Sequence, residues 1–262
     1  MDTGLHGQWV LITGASGGIG QATARAFAAE GAGLLLHAHR HAAEAERLRA
    51  ELATDAAVLV ADLRDERQVE ELFAAAVRRA GRIDAVVVNA GVWRAEDVPL
   101  HRLTPAEWRE TLEADLTTAF LTCRAFLRHL EDSPREGASV VLVASTAALF
   151  GEAGHADYAA AKAGMAYGLT LSLKNEVVRL APRGRVNCVC PGWTATPMAA
   201  AQLADAALFR RVTATRPLRE VARAEDVAAA VVFLTSERLA GHLSGTILPI
   251  AGGMEGRLLH PT

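Results

Sequence analysis

Short apolar runs alternate with longer amphipathic ones from one end of this chain to the other. WVLITG gives way to QATARAFAAEG, GLLLHAH to AAEAERLRAELA, AAVLVADL to ERQVEELFAAAVRRAG, and IDAVVVNAG to TPAEWRETLEADLTTAFLTCRAFLRHL. The second half keeps the rhythm with ASVVLVAS, a helix predicted from about Asp157 to Leu180, RVNCVC, a helix predicted from about Ala224 to Thr235, and TILPIAGG. Near-continuous Val, Leu and Ile in the short runs reads as strands buried on both faces, and a helix between successive strands is what a parallel crossover requires. The expected fold class is α/β: a doubly wound parallel sheet of about seven strands with helices on both faces. At 262 residues the chain suits one domain, 1–262, around a single large core. Residues 193–222 (WTATPMAAAQLADAALFRRVTATRPLREVA) break the rhythm and are predicted to be a helical lid beside the ligand edge of the sheet.

Composition excludes several classes of function. Net charge is −3, charges of both signs are mixed, and no basic block or interleaved aromatic stripe offers a surface to nucleic acid. Arginine outnumbers lysine 25 to 2, but the arginines are scattered and read as compositional bias. The start MDTGLHGQWVLITG lacks a signal peptide's basic and apolar regions, and no apolar run reaches membrane-spanning length, so a cytoplasmic protein with no membrane association is expected. Cys123, Cys188 and Cys190 are odd in number and read as buried thiols rather than a disulfide framework or a metal site.

Between the first strand and the first helix stands TGASGGIG, with Gly14, Gly18 and Gly20 spaced G-x-x-x-G-x-G. Glycine lets backbone approach a pyrophosphate, and the helix that follows offers free N–H groups and a positive dipole end, so a dinucleotide is the expected ligand. Folds of this kind commonly carry an acid at the end of the second strand to bind the adenosine ribose of NAD; here Ala38 takes that slot, followed by His39 and Arg40. A cation with hydrogen-bond donors suits the extra phosphate of NADP, which is therefore the expected cofactor, with NAD possible. The rival reading, a metal held by His37, His39 and His41, lacks a carboxylate or cysteine to complete the set.

The chain has only two tyrosines and two lysines, and one of each falls in YAAAK as Tyr158 and Lys162. Residues i and i+4 share a helix face, so an ammonium stands one turn from a phenol, where it favours the phenolate. Ser145 closes the strand run ASVVLVAS, which delivers it to the same edge of the sheet. Trp93, Leu149, Phe150, Trp193 and Met198 flank this place as candidate pocket walls, and His155, three residues before Tyr158, as a candidate substrate contact.

Together these motifs resemble the short-chain dehydrogenase/reductase family, in its compact form of about 250 residues, over essentially the whole chain. TGASGGIG is similar to its cofactor turn (Gly14, Ser16, Gly18, Ile19, Gly20), ADL to its adenine contact (Asp62, Leu63), and NAG to its motif after the fourth strand (Asn89, Ala90, Gly91). Ser145, Tyr158 and Lys162 match its catalytic residues, and PGWTAT resembles the loop that holds the nicotinamide carboxamide, with Pro191, Gly192, Thr194 and Thr196. The resemblance implies a single Rossmann-like domain in which Tyr158 exchanges the substrate proton, Ser145 bonds the substrate oxygen, and Lys162 binds nicotinamide ribose. It further implies a homodimer or homotetramer acting on a small or medium ketone or secondary alcohol. One position departs: where the family carries asparagine in its fourth helix, ordering a water beside the lysine, this chain has Asp115 in the run DLTTAF. Asp115 is expected to hold that water in a working site, at the cost of opposing part of the phenol's activation. Two alternatives stay open. A 3-oxoacyl carrier-protein reductase needs a basic docking surface, to which Arg124, Arg128 and Lys174 contribute and Glu131 and Asp132 do not; a dinucleotide-binding sensor or scaffold with weak or no turnover is the rival from another class.

Overall fold

The computed structural model describes residues 2–254. Strands β1 (Trp9–Ile12), β2 (Gly33–Ala38), β3 (Ala56–Val60), β4 (Ala85–Val88), β5 (Ser139–Val143), β6 (Arg185–Pro191) and β9 (Ile247–Ile250) form one seven-stranded sheet in the order β3-β2-β1-β4-β5-β6-β9. All its pairings are parallel. The order reverses direction between β1 and β4, where Val10 stands opposite both Leu34 and Ala85. Such a switch point leaves a crevice at the carboxyl ends of the strands, where ligands of open α/β sheets bind.

Alternate residues of the strands feed two cores, one on each face, which is why the strand runs are continuously apolar rather than alternating. On one face Leu11, Val86, Val88, Val140, Leu142, Cys188 and Cys190 pack with residues of α3 (Glu66–Ala80) and α5 (Thr118–Asp132). On the other, Val10, Ile12, Val87, Val141 and Val189 pack with α1 (Gly18–Ala29), α2 (Ala42–Glu51) and α11 (Ala224–Thr235). Local chemistry sets the helix ends. The Asp65 side chain accepts from the N–H groups of Arg67 and Gln68 to start α3, and Gly81, at φ 76°, ends it; a cap of this type is worth about 1 kcal/mol. Thr104 and Glu107 form a reciprocal capping box at α4 (Pro105–Leu112).

Two long helices are not regular. Between α4 and α5 lies a π-helical turn, Glu113–Thr117, and the helix predicted from Asp157 is built from α7 (Ala156–Ala163), a second π turn (Gly164–Leu169), and α8 (Thr170–Glu176). The two π turns face each other: a Cβ on Gly164 would stand 3.0 Å from the Leu116 side chain, so a larger residue would have to push that side chain aside. A short α6 (Ala147–Phe150) precedes α7, and α12 (Glu237–Ala240) follows α11. The stretch 193–222 is less helical than predicted, with α9 (Ala200–Leu203) and α10 (Ala206–Thr213) bracketed by a two-stranded parallel ribbon of β7 (Thr194–Ala195) and β8 (Ala222–Arg223).

Candidate active site

The carboxyl ends of the central strands open into an elongated cavity of about 600 Å³. Its floor is the glycine turn. Gly14 has φ 65°, and a Cβ there would stand 2.9 Å from the Ala90 backbone. A Cβ on Gly20 would collide with the Gly14 carbonyl, and one on Gly18 would come within 2.8 Å of Thr196. No side chain caps α1, so its first N–H groups are free to meet an anion. Asn89 ties the turn to the end of β4 by donating from Nδ2 to the carbonyls of Thr13 (3.0 Å) and Gly14 (3.1 Å). His37 holds it from the other side: Nδ1 accepts the Gly14 N–H at 3.1 Å, and Nε2 lies 3.0 Å from the Ala61 carbonyl. Both nitrogens of His37 are thereby engaged, which leaves the rival histidine metal site without its first ligand.

One end of the cavity is lined by His39, Arg40, His41, Asp62, Leu63 and Arg64. Arg64 bonds Asp62 at 2.6 Å and, chiefly through that hydrogen bond, holds its carboxyl down to about 2; His39 Nε2 lies 3.8 Å away. Ala38 is buried, so the second strand presents no acid here.

At the other end Tyr158 and Lys162 meet the cavity together with Trp93, Arg94, Thr196 and Met198. Tyr158, on the first turns of α7, has Ser145, just beyond β5, as the polar neighbour that favours its phenolate, and the Lys162 Nζ is 5.5 Å from the centroid of its ring. Lys162 reaches behind Gly91 to Asp115, Nζ to Oδ1 3.0 Å, and the same oxygen accepts the Val92 N–H at 3.2 Å. Asp115 therefore meets the ammonium directly. A Cβ on Gly91 would fall on this pair. Asp115 is fully buried, and its Oδ2 has no hydrogen-bond partner.

Burial drives the electrostatics of this group. It pushes the Asp115 carboxyl above the usual carboxylate range against the pull of Lys162. For Lys162 burial acts against the ammonium, yet Asp115 and Tyr158 together hold the group charged and above its ordinary value. Burial also pushes the Tyr158 phenol up; Lys162 and Ser145 oppose this, and Asp115 reinforces it. The phenol is thus protonated at neutral pH, with a cation beside it to ease the proton's departure.

Several expected residues stand elsewhere. His155 does not line the cavity: it is buried behind Trp93, because its Nε2 is taken by the Arg94 carbonyl at 2.9 Å. Phe150 is exposed outside the cavity, and Trp193 touches it only through Trp93. Of the two threonines after β6, Thr196 faces the cavity, while Thr194 is buried and donates to the Gly192 carbonyl at 2.8 Å; Pro191 and Gly192 lie at the strand end behind it. Sequence reasoning missed the role of His37 in holding the glycine turn and the pair Arg94–Asp157. Arg94 Nη2 and Thr111 Oγ1 both bond Asp157 Oδ2 at 2.5 Å, anchoring the residue before Tyr158. The only hint was Asp157's place next to Tyr158.

The cavity suits a dinucleotide: glycines stand where a Cβ would fill the cradle, free helix N–H groups lie beneath, and Arg40 and Arg64 line one end beside Asp62. Comparison with known proteins agrees. The family model described as enoyl-(acyl carrier protein) reductase matches residues 14–255. Cis-4-hydroxycyclohexanecarboxylate dehydrogenase of Sinomonas cyclohexanicum is 36% identical across 93% of this chain and 94% of its own. This chain belongs to the short-chain dehydrogenase/reductase family. Also similar are the 3beta-hydroxysteroid dehydrogenase 1 of Eggerthella lenta (34%, covering 95% of this chain and 94% of the relative) and the 3-oxoacyl-[acyl-carrier-protein] reductase of Synechocystis sp. (32%, 96% and 98%). The crystal structure of levodione reductase superposes with a TM-score of 0.86 at 31% identity, covering 95% of this chain and 97% of that one. As a short-chain dehydrogenase/reductase the protein is an oxidoreductase that passes hydride between a nicotinamide cofactor and a ketone or secondary alcohol.

Proposed function

We propose that the protein is an NADP-preferring oxidoreductase of ring ketones and ring alcohols, with Tyr158 as general acid and base. The observation that carries this reading is Tyr158, with Ser145 and Lys162 as its polar neighbours, in the cavity that also contains the glycine turn. A bound nicotinamide would supply or accept the hydride, with Lys162 and Thr196 facing it and Ser16 and Gly17–Gly20 around its phosphates. Tyr158 gives its proton to the substrate oxygen in reduction and takes it back in oxidation, Ser145 bonds that oxygen, and the Lys162 ammonium offsets the charge left on the phenolate. Asp115 fixes where that ammonium stands. Residues 193–222 act as the lid within a single domain, and Trp93, with Trp193 at its edge, gives the substrate side a flat wall that favours rings. The names of two relatives, a hydroxycyclohexanecarboxylate and a hydroxysteroid dehydrogenase, support a ring alcohol.

NADP preference rests on Arg40, with His39 and His41 beside it, at the end of the cavity where the second strand closes on Ala38 rather than an acid; Arg64 there is paired with Asp62. The carrier-protein reductase reading stays as the alternative, supported by the name of the Synechocystis relative, while the pairing of Arg124 and Arg128 with Glu66 and Glu70 weighs against a basic docking surface. A homodimer or homotetramer is supported by a groove of about 300 Å³ beside α5 and α8, where Phe120, Leu127, Leu169 and Leu173 are flanked by Arg124, Arg128, Glu131 and Glu176. No helix among the described residues is long and apolar enough to cross a membrane, in keeping with a cytoplasmic enzyme.

The test is reduction of a panel of cyclic and open-chain ketones, followed at the nicotinamide absorbance with NADPH and with NADH. The expected result is higher kcat/KM with NADPH and with ring ketones, and a loss of about a thousandfold in Tyr158→Phe. A Tyr158→Phe protein as active as the parent would overturn the assignment. Dinucleotide binding without turnover of any ketone would favour the sensor reading.

A further inference from the structure

Trp93 lies flat on His155, ring centroids 5.0 Å apart and planes 17° from parallel. The indole lines the cavity; the imidazole is buried behind it and touches no part of the cavity surface. Both nitrogens of His155 face only acceptors. Nε2 is 2.9 Å from the Arg94 carbonyl, while around Nδ1 lie the Ala153 carbonyl at 3.4 Å, Asp97 Oδ1 at 3.5 Å and Glu152 Oε1 at 3.9 Å. A neutral imidazole owns one N–H. With that hydrogen committed to Arg94, the Nδ1 lone pair would be turned toward oxygen lone pairs, whereas an imidazolium donates from both sides. A cation stacked on an indole is further held by the ring's negative face. Glu152 lies close to the imidazole, and burial pushes its carboxyl up while His155 pulls it down. The other charges packed here are already committed: the Arg94 guanidinium turns to Asp157 and Glu107, and Tyr158 has Ser145 beside it.

We propose that His155 is a positioning residue whose imidazolium form holds Trp93 as the wall of the substrate cavity, so that substrate fit, rather than the chemical step, follows the protonation of His155. The consequence for substrate rests on the ring-ketone reading above; the control of Trp93 by His155 does not.

Because imidazolium quenches indole emission, the experiment is a fluorescence titration of the parent from pH 5 to pH 8.5, with Trp93→Phe and His155→Gln alongside. A single rise in emission with pH is expected in the parent and in neither variant. Over the same step the KM for a ring ketone rises about fourfold, the size of a lost cation–π contact, while kcat does not share it. A parent with no emission step, or a step that persists in Trp93→Phe or His155→Gln, overturns the control of Trp93, and a flat KM beside a genuine emission step overturns its role in substrate fit. If the ketone reading is wrong, turnover is absent while the emission step remains, so the two failures are told apart. The parent titration needs no variant to fold.

Discussion

A carboxylate at position 115 changes the electrostatics of every group around it. An amide would offer Val92 and Lys162 the same acceptor without the charge; Asp115 instead pairs with Lys162 at 3.0 Å inside the protein, leaving Oδ2 without a partner. Part of the ammonium's attraction for a phenolate is thereby spent on another anion, and Asp115 itself repels the phenolate. Replacing the carboxylate removes both effects. Asp115→Asn is therefore expected to move the Tyr158-dependent midpoint of the kcat–pH profile to lower pH, by on the order of one unit. A midpoint that stays in place or moves upward would show that Asp115 does not tune the phenol. The identity of this residue was plain from the sequence, but its partner was not: the expectation was a shared water, and the direct ion pair follows from the π turn Glu113–Thr117, which turns the carboxylate inward behind Gly91.

At the level of elements, the glycine turn depends on β2 through one histidine. His37 accepts the Gly14 N–H, which it can do only with a neutral Nδ1, and burial holds its pKa down from 6.5 to about 4. An unfolded chain takes up this proton near 6.5, so between 6.5 and about 4 it binds the proton before the folded protein does. The contribution of His37 to stability is whole above that window and is lost as pH falls through it, by at most about 3 kcal/mol. Urea midpoints at a pH above the window and one inside it, compared between the parent and His37→Asn, read this directly. The parent should lose stability more steeply; equal slopes would mean that His37 is not the group responsible. The turn itself was legible in TGASGGIG because glycine spacing is a local signal, whereas its anchor, 23 residues away in sequence, was not.

For the molecule as a whole, the cavity is assembled from the ends of β1, β2, β4 and β5, so a ligand spanning it braces the central sheet. A dinucleotide at a hundredfold excess over its Kd should stabilise the fold by about 2.7 kcal/mol. For a domain of this size that is a rise in Tm of roughly 5–10 °C. Thermal unfolding with NADPH and with NADH checks this, with the larger rise expected for NADPH; no rise with either would remove the cofactor reading altogether.

What the sequence determined by itself is whatever follows from neighbours along the chain. Apolar runs separated by helical runs dictated a parallel sheet covered on both faces, glycine spacing located the phosphate turn, and a four-residue step put Tyr158 and Lys162 on one helix face. What only the tertiary structure decided is which groups meet across the chain. It buried His155 against the Arg94 carbonyl, 61 residues earlier, turned Thr194 back to Gly192 while leaving Thr196 on the cavity, and paired Asp115 with Lys162. Periodicity repeats over a few residues and so can be read locally. Desolvation and charge pairing depend on atoms brought together by packing, and no run of letters carries them.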